Sequence, residues 1–371
     1  MKIVIISQHS YPFNSPRSHR TTELAKELVR AGHEVVVYAL LGEYDYTNYT
    51  KETGIVFKNL GKTKWGLVSN TGGSNSRIVG YLASKIGRYT QFPYTQMIPM
   101  VKNAIREEET IDLLITIAVP HIIHYATSRA DLRRVKYWIA DCGDPFMGNA
   151  FVWHPFYFER FERQWCSKCD SITIPIGDAI AGYYPEYHSK IRVIPQGFDF
   201  SNVRIANYTP HSVPTFAYAG AVYKDYRDPS AFLEFLCGLE INFVFVVYGR
   251  SWNFFEPYKN RLGEKLIYGG LMPHDDMITA ISAMDFLINI PNKSSVQQPS
   301  KLIDYALAKR PIINISTDFP EEEKLSFLEF MQGDYTHRIE VGDIERFNIK
   351  NVAQQFIDLA QGNSKNDRYR Q

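Results

Sequence analysis

The stretch Gln297-Gln298-Pro299-Ser300-Lys301-Leu302-Ile303-Asp304-Tyr305-Ala306-Leu307-Ala308-Lys309-Arg310-Pro311 decides how this chain is read. The fixed φ of Pro299 suits a first helical position, so a helix starting at Ser300 leaves the amide N–H groups of Ser300, Lys301 and their neighbours pointing out of its start. Such an end attracts anions, and the Lys301 ammonium adds a full positive charge. Asp304 lies four residues after Ser300 and three after Lys301, on the same helix face one turn deeper, where a carboxylate can accept ligand hydroxyls. Upstream, Met284-Asp285-Phe286-Leu287-Ile288-Asn289-Ile290 reads as a buried strand; downstream, Pro311-Ile312-Ile313-Asn314-Ile315 reads as the next. The segment is either a strand-to-helix turn that grips a phosphate or an ordinary capped helix between parallel strands.

Working outward, apolar β-rich runs recur near residues 2–7, 34–39, 112–117, 136–140, 171–175 and 191–195, and again near 215–219, 243–248, 265–268, 285–290 and 311–315. Helical patterns fall between them, at about 19–31, 228–238, 273–283 and 300–309, with a last one at about 351–361. In the first, Leu24, Ala25, Leu28 and Val29 share a face and Gly32 reads as a left-handed cap. This alternation predicts an α/β fold of two doubly wound, Rossmann-like domains facing across a cleft. The expected bounds are 1–200 for the first domain, 201–214 for a polar linker and 215–350 for the second, with the C-terminal helix, 351–371, packing back on the first. Ligands of such sheets sit at the carboxyl ends of the strands, so the loops 8–20, 118–121, 141–149, 220–228, 249–253 and 292–300 carry the candidate site.

Composition narrows the class. A chain of 371 residues, 45% hydrophobic, has room for two cores, and a net charge of +1 makes nucleic acid an unexpected partner. Residues 51–106 nevertheless hold nine basic side chains against one acid, Glu52, which predicts a positive surface, either a solvated face or one that meets an anionic membrane or a phosphorylated acceptor. Within it, Arg77 to Tyr89 reads as a basic amphipathic helix, with Ile78, Leu82, Ile86 and Tyr89 on one side, suited to a membrane surface or to core packing. The first apolar run is too short for a signal peptide and none approaches the ~18 residues of a spanning helix, so a cytoplasmic protein is expected, touching the inner face of the cell membrane peripherally. Four cysteines fit a reduced compartment, and Cys166-x-x-Cys169 lacks the second ligand pair of a zinc site.

Gly32-His33-Glu34-Val35, Val193-Ile194-Pro195-Gln196-Gly197-Phe198-Asp199, and Pro299-Ser300-Lys301 leading to Asp304-Tyr305 and Pro311 together resemble the GT-B glycosyltransferases of the family 4 type. Leu114-Ile115-Thr116 through Pro120, then Trp138-Ile139-Ala140-Asp141 and Asp144-Pro145-Phe146, are similar to a branch acting on cell-surface polysaccharides. The resemblance implies transfer of a sugar from a nucleotide diphosphate donor to a glycan or lipid-linked glycan, with retention and without a bound metal. The only co-substrate it implies is the nucleotide sugar, with no cofactor.

The residues support that reading. The chain holds no Asp-x-Asp, so protein cations must meet the charge of the departing diphosphate. Lys224 and Arg227, in the loop after Gly220, join Lys301 and the helix start at Ser300 in that role, although Lys224-Asp225-Tyr226-Arg227-Asp228 also reads as a solvated, internally paired loop. Gly249 and Arg250, with the loop after Tyr268, are expected to flank the base, and Asp304 to hold the ribose. The family pattern has two acids eight positions apart; Asp304 matches the second, but Val296 stands at the first, leaving the donor-sugar contact to Gln297 or Gln298, or absent. In the first half Arg17 and Arg20 are candidate phosphate contacts and His9 a further cleft residue. Asp141, Asp144 and His121 are the candidates for orienting the acceptor hydroxyl or taking its proton. Two other readings fit the same features: a sugar-nucleotide epimerase on this fold and a noncatalytic nucleotide-sugar-binding subunit.

Overall fold

The computed structural model describes residues 1–65, 67, 70, 86–149, 152–201, 203–222, 227–291 and 300–362. The chain forms two compact units, Met1–Asp199 together with the segment from Glu345 onward, and Phe200–Ile344.

The first unit is built on seven strands: β1 (Lys2–Ile6), β2 (Glu34–Ala39), β3 (Val56–Asn59), β4 (Leu113–Ile117), β5 (Trp138–Asp141), β6 (Ser171–Ile174) and β7 (Ile191–Val193). They lie in the order β3-β2-β1-β4-β5-β6-β7, every ladder parallel. A parallel sheet is covered on both faces, which is why β1 and β4 are nearly continuous aliphatic runs. Alternate residues feed alternate cores. Val4, Ile6, Val36, Tyr38, Leu114, Trp138 and Ile172 pack with Val101 and Ile105 of the helix Met97–Glu107, Ile122 and Ile123 of Ile122–Ser128, and Trp165 of Glu159–Lys168. Ile3, Ile5, Val35, Val37, Leu113 and Ile115 cluster with Leu24 and Leu28 of Pro16–Arg30 and with Val352 and Phe356 of Ile349–Ala360. The helix Pro16–Arg30 starts with the Ser15 side chain accepting the Ser18 amide and Pro16 in the first turn, and the chain turns away at Gly32, whose φ is +85°. The edge strand β3 has no counterpart in the apolar runs of the sequence.

The second unit carries β8 (Thr215–Ala219), β9 (Val244–Tyr248), β10 (Leu266–Gly270), β11 (Phe286–Asn289) and β12 (Ile312–Asn314) in the order β10-β9-β8-β11-β12, again all parallel. One face is aromatic, with Phe216, Phe245 and Phe286 stacked at 4.8 to 5.0 Å around Phe216 and covered by Phe232 and Phe327. The other is small, Ala217 and Ala219 admitting Ile278, Ile281 and Tyr305. Residues 200–214 are strapped to this unit through Asp285, whose carboxylate accepts from Tyr208 Oη (2.8 Å) and the amides of His211 (3.1 Å) and Thr215 (2.7 Å). The strand orders classify the chain as α/β with two doubly wound parallel sheets.

Candidate functional site

In a doubly wound sheet the strand order reverses at one point, and the crevice for ligands opens there, beyond the carboxyl ends. The reversals fall between β1 and β4 in the first unit and between β8 and β11 in the second.

In the second unit β8 ends at Ala219 and the chain turns through Gly220 at φ +148°, a region that favours glycine. A Cβ on Gly220 would collide with Cε and Nζ of Lys301, so the lysine side chain crosses the strand end through space that only glycine leaves open. Gly249, ending β9 at φ +125°, has the same constraint from the other side, since its Cβ would stand 2.7 Å from the Gly220 carbonyl oxygen. The helix Ser300–Leu307 is fastened to this edge by Tyr305, whose buried hydroxyl accepts the Ala219 amide (2.8 Å) and donates to the Ala219 carbonyl (3.2 Å).

Lys301 Nζ donates to Tyr218 Oη at 2.7 Å and to the Ala221 carbonyl at 3.3 Å, and lies 4.5 Å from the centre of the Tyr218 ring. Burial, then the nearby Arg227 guanidinium, pushes its ammonium down to about 7 against the opposing pull of Asp304. Lys301, Arg227 and Asp304 thus act on one another's charge at this strand end. Asp304 itself, 15% exposed at its side chain, accepts from His274 Nε2 at 2.8 Å, and that bond raises the imidazole's affinity for a proton while burial opposes it. Beside Gly249, whose carbonyl accepts from Tyr268 Oη at 2.9 Å, the rings of Trp252 and Tyr268 stack at 4.9 Å, and Arg250 is exposed.

Of the donor-side residues read from sequence, Arg227, Gly249, Lys301 and Asp304 come together at this edge, with the helix start at Ser300; Arg250 lies next to them in the chain. Lys224 and Gln298 lie outside the described residues. His274 was missed. Thirty positions separate it from Asp304, so no local motif links them, and only its place at the start of the helix His274–Ser282, just after β10, hinted at a role.

In the first unit the structure corrects three assignments. Asp141 is not available to an acceptor: it is 1% exposed, with Arg20 Nε and Nη2 at 3.1 and 2.9 Å and the Thr173 hydroxyl at 2.7 Å on its oxygens. Burial raises its proton affinity, but Arg20, Arg17 and Thr173 outweigh that and hold it ionised. Arg20 is equally enclosed, donating as well to the Pro195 and Ile194 carbonyls, so the pair knits β5 to the segment after β7 and does not contact phosphate. His121 is 7% exposed; its Nε2 donates to the Asp144 carbonyl at 3.1 Å, and burial pushes its pKa down to about 4, leaving a neutral ring that holds the loop.

Asp144, by contrast, is exposed. Arg17 lies against Gly143, where a Cβ would stand 2.7 Å from the guanidinium carbon, and reaches to 4.0 Å from Asp141. Burial lowers its pKa first, with Asp141 and Asp144 opposing. His9 stacks on Phe13 at 3.9 Å with Nδ1 3.3 Å from Asn70 Oδ1, and burial lowers its pKa. Cys142, Cys166 and Cys169 are buried free thiols, each pushed up by burial. Among the described residues no group of three or more His, Cys, Asp or Glu side chains is placed to hold a metal ion.

No family model and no curated protein matches the sequence. Solved structures match along nearly the whole chain. A glycosyltransferase from Rickettsia africae is 14% identical with a TM-score of 0.60, covering 98% of this chain and 99% of that one. The lipopolysaccharide outer core galactosyltransferase WaaB is 13% identical with a TM-score of 0.61 over 98% and 100%. Anabaena Alr3699/HepE, solved with UDP, is 11% identical with a TM-score of 0.60, also over 98% and 100%. At such identities the likeness lies in the backbone: the chain has the fold of the GT-B glycosyltransferases.

Proposed function

We propose that this protein is a glycosyltransferase that moves a hexose-type sugar, with retention, from a nucleoside diphosphate donor to a glycan or lipid-linked glycan. The observation that carries the reading is Lys301: a half-buried ammonium passing over a glycine at the reversal point of the second sheet, with Arg227 near it. A phosphate about 4 Å from such a cation gains on the order of 4 kcal/mol before desolvation at an effective dielectric near 20. Two cations and a helix start meet the charge that develops on the leaving diphosphate, without a metal. Asp304 anchors the ribose, exchanging its bond from His274 for ligand hydroxyls, and Asp144 takes or orients the proton of the acceptor hydroxyl. Structural neighbours solved with UDP and UDP-glucose support the donor class, and one solved with UDP and glycan-type ligands supports the acceptor class.

The same reading places the enzyme peripherally at the cytoplasmic membrane face. Its support is an exposed aromatic patch on the first unit: Trp153 (61% exposed) and Phe156 (84%), with Tyr89 edge-on to Trp153 at 6.0 Å and Ile86 near by in the chain, flanked by the exposed Arg88 and Arg160. Aromatic and basic side chains in one patch favour an anionic interface. Residues 77–85 of the amphipathic helix expected from sequence lie outside the described residues; residues 86–90 are helical. No helix among the described residues is long and apolar enough to cross a membrane.

Incubation with UDP-, GDP- and dTDP-sugars and membrane-extracted acceptors is expected to yield a glycosylated product and free nucleoside diphosphate, undiminished by chelator. Tight nucleotide binding without turnover would instead favour the binding-subunit reading that Val296 motivates, and isomerisation of donor alone would favour an epimerase.

A further inference from the structure

The segment that carries Asp144 is held from below by a buried carboxylate. Glu162, on the helix Glu159–Lys168, is 0% exposed, and its two oxygens accept separate main-chain amides, Phe146 N to Oε1 at 3.2 Å and Met147 N to Oε2 at 3.1 Å. His121 Nε2 holds the Asp144 carbonyl at 3.1 Å. The Phe146 ring lies 5.0 Å from His121 and 4.3 Å from His154. Gly148 and Gly182 touch so closely that a Cβ on either would collide, the first with the Gly182 backbone and the second with Pro145.

We propose that Glu162 is a positioning residue for Asp144: its ionised carboxylate pins the amides of Phe146 and Met147, and taking up a proton releases one of them and loosens the loop. A carboxylate accepts through both oxygens, whereas a carboxylic acid turns one of them into a donor facing an N–H group. Asp144's catalytic meaning rests on the proposed function; the clamp itself does not.

Burial pushes Glu162 up to about 7, with the Met147 and Phe146 amides, Tyr184 and Arg163 opposing. Cys142 just after β5, Cys166 one turn along and Tyr183 and Tyr184 are all raised, and each stays neutral. Arg163 stays charged, paired with Glu159 and Glu186, and His121 and His154 are lowered. Burial thus places the titration of Glu162 itself near neutrality.

The test follows the Met147 amide by NMR in the full chain labelled with [15N]methionine, assigned by loss of its signal in Met147→Leu, from about pH 5.5 to 8.5. In the wild type the signal is expected to titrate with a midpoint near 7. In Glu162→Gln it should stay fixed, and in Glu162→Asp titrate with an altered midpoint. At saturating donor, transfer is expected to fall about tenfold on the acid side in the wild type and, in Glu162→Gln, to be about tenfold low without that acid-side fall, the donor KM at each pH unchanged. A Met147 amide that does not titrate in the wild type, a measurement that needs no variant, overturns the proposal. So does one that titrates identically in a folded Glu162→Gln. A titrating amide in a protein with no turnover supports the clamp and discards the transferase reading.

Discussion

Gly220 and Lys301 compete for one volume, so the smallest substitution there is informative. Gly220→Ala puts a methyl where Cε and Nζ pass and forces the ammonium aside. Nucleoside diphosphate affinity should then drop by about tenfold or more while circular dichroism is unchanged, as titration calorimetry would read. Asp304→Ala should weaken binding by roughly 1.5 to 3 kcal/mol, the usual loss of hydrogen bonds to a charged group, and unchanged affinity would remove Asp304 from the site. Lys301 sets the pH dependence. A bound diphosphate raises its pKa from about 7, so affinity is greatest below that value and declines as pH rises through it.

Three buried groups of opposite sign contribute to the pH dependence of stability near neutrality. His121 and His124 are depressed, so their contribution is present above pH 6.5 and is lost as pH falls toward the folded-state values, roughly 3 kcal/mol for His121 alone. Glu162 is raised, so its contribution is present below about 4.5 and is lost as pH rises through about 7. The wild type therefore offsets part of its own acid sensitivity. Glu162→Gln should lose more stability than the wild type between pH 7.5 and 5 in urea titrations, and equal losses would contradict this balance.

At the scale of elements, the helix Ile349–Ala360 is the C-terminal piece that completes the first unit's core. Phe356 is 0% exposed, with the Arg20 guanidinium 5.1 Å from its ring centre. Phe356→Ala should cost about 3 to 5 kcal/mol by chemical denaturation. The central strands could be read from sequence because a strand buried on both faces must be a short apolar run; β1, β2 and β8 are such runs. Strand β3 escaped because it is an edge, with Val56 exposed and Lys58 reaching out to Glu108, so no alternation marks it. The helix Ile122–Ser128 escaped for the opposite reason: it is buried nearly all round, with His124 bonded to Thr116, and shows no polar face. Helix Glu321–Met331 opens on three consecutive glutamates that mask the spacing of Phe327 and Phe330. The proposed donor-side cluster was legible where it is contiguous, Ser300 to Asp304. Its partners His274, Tyr218 and Gly220 are brought in by the sheet order, which local spacing does not encode. The same limit made Asp141 and His121 look reactive, since a residue at a strand end reads alike whether its side chain meets solvent or a buried arginine.

For the whole molecule, two units with separate cores are expected to respond separately to ligand. Amide exchange should show nucleotide protecting β8, β9 and the helix Ser300–Leu307, with β5 and β6 unaffected. In the proposed reaction protein cations at the β8 and β11 strand ends hold the nucleoside diphosphate, and calorimetry reads that binding. UDP, GDP and dTDP are titrated, with chelator present, into wild type and Lys301→Ala in two buffers of different ionisation enthalpy. At least one nucleotide is expected to bind the wild type with proton uptake above about pH 7, and Lys301→Ala to lose both the affinity and the uptake. Binding of equal strength by Lys301→Ala, or none by the wild type until a divalent metal is added, would contradict that expectation.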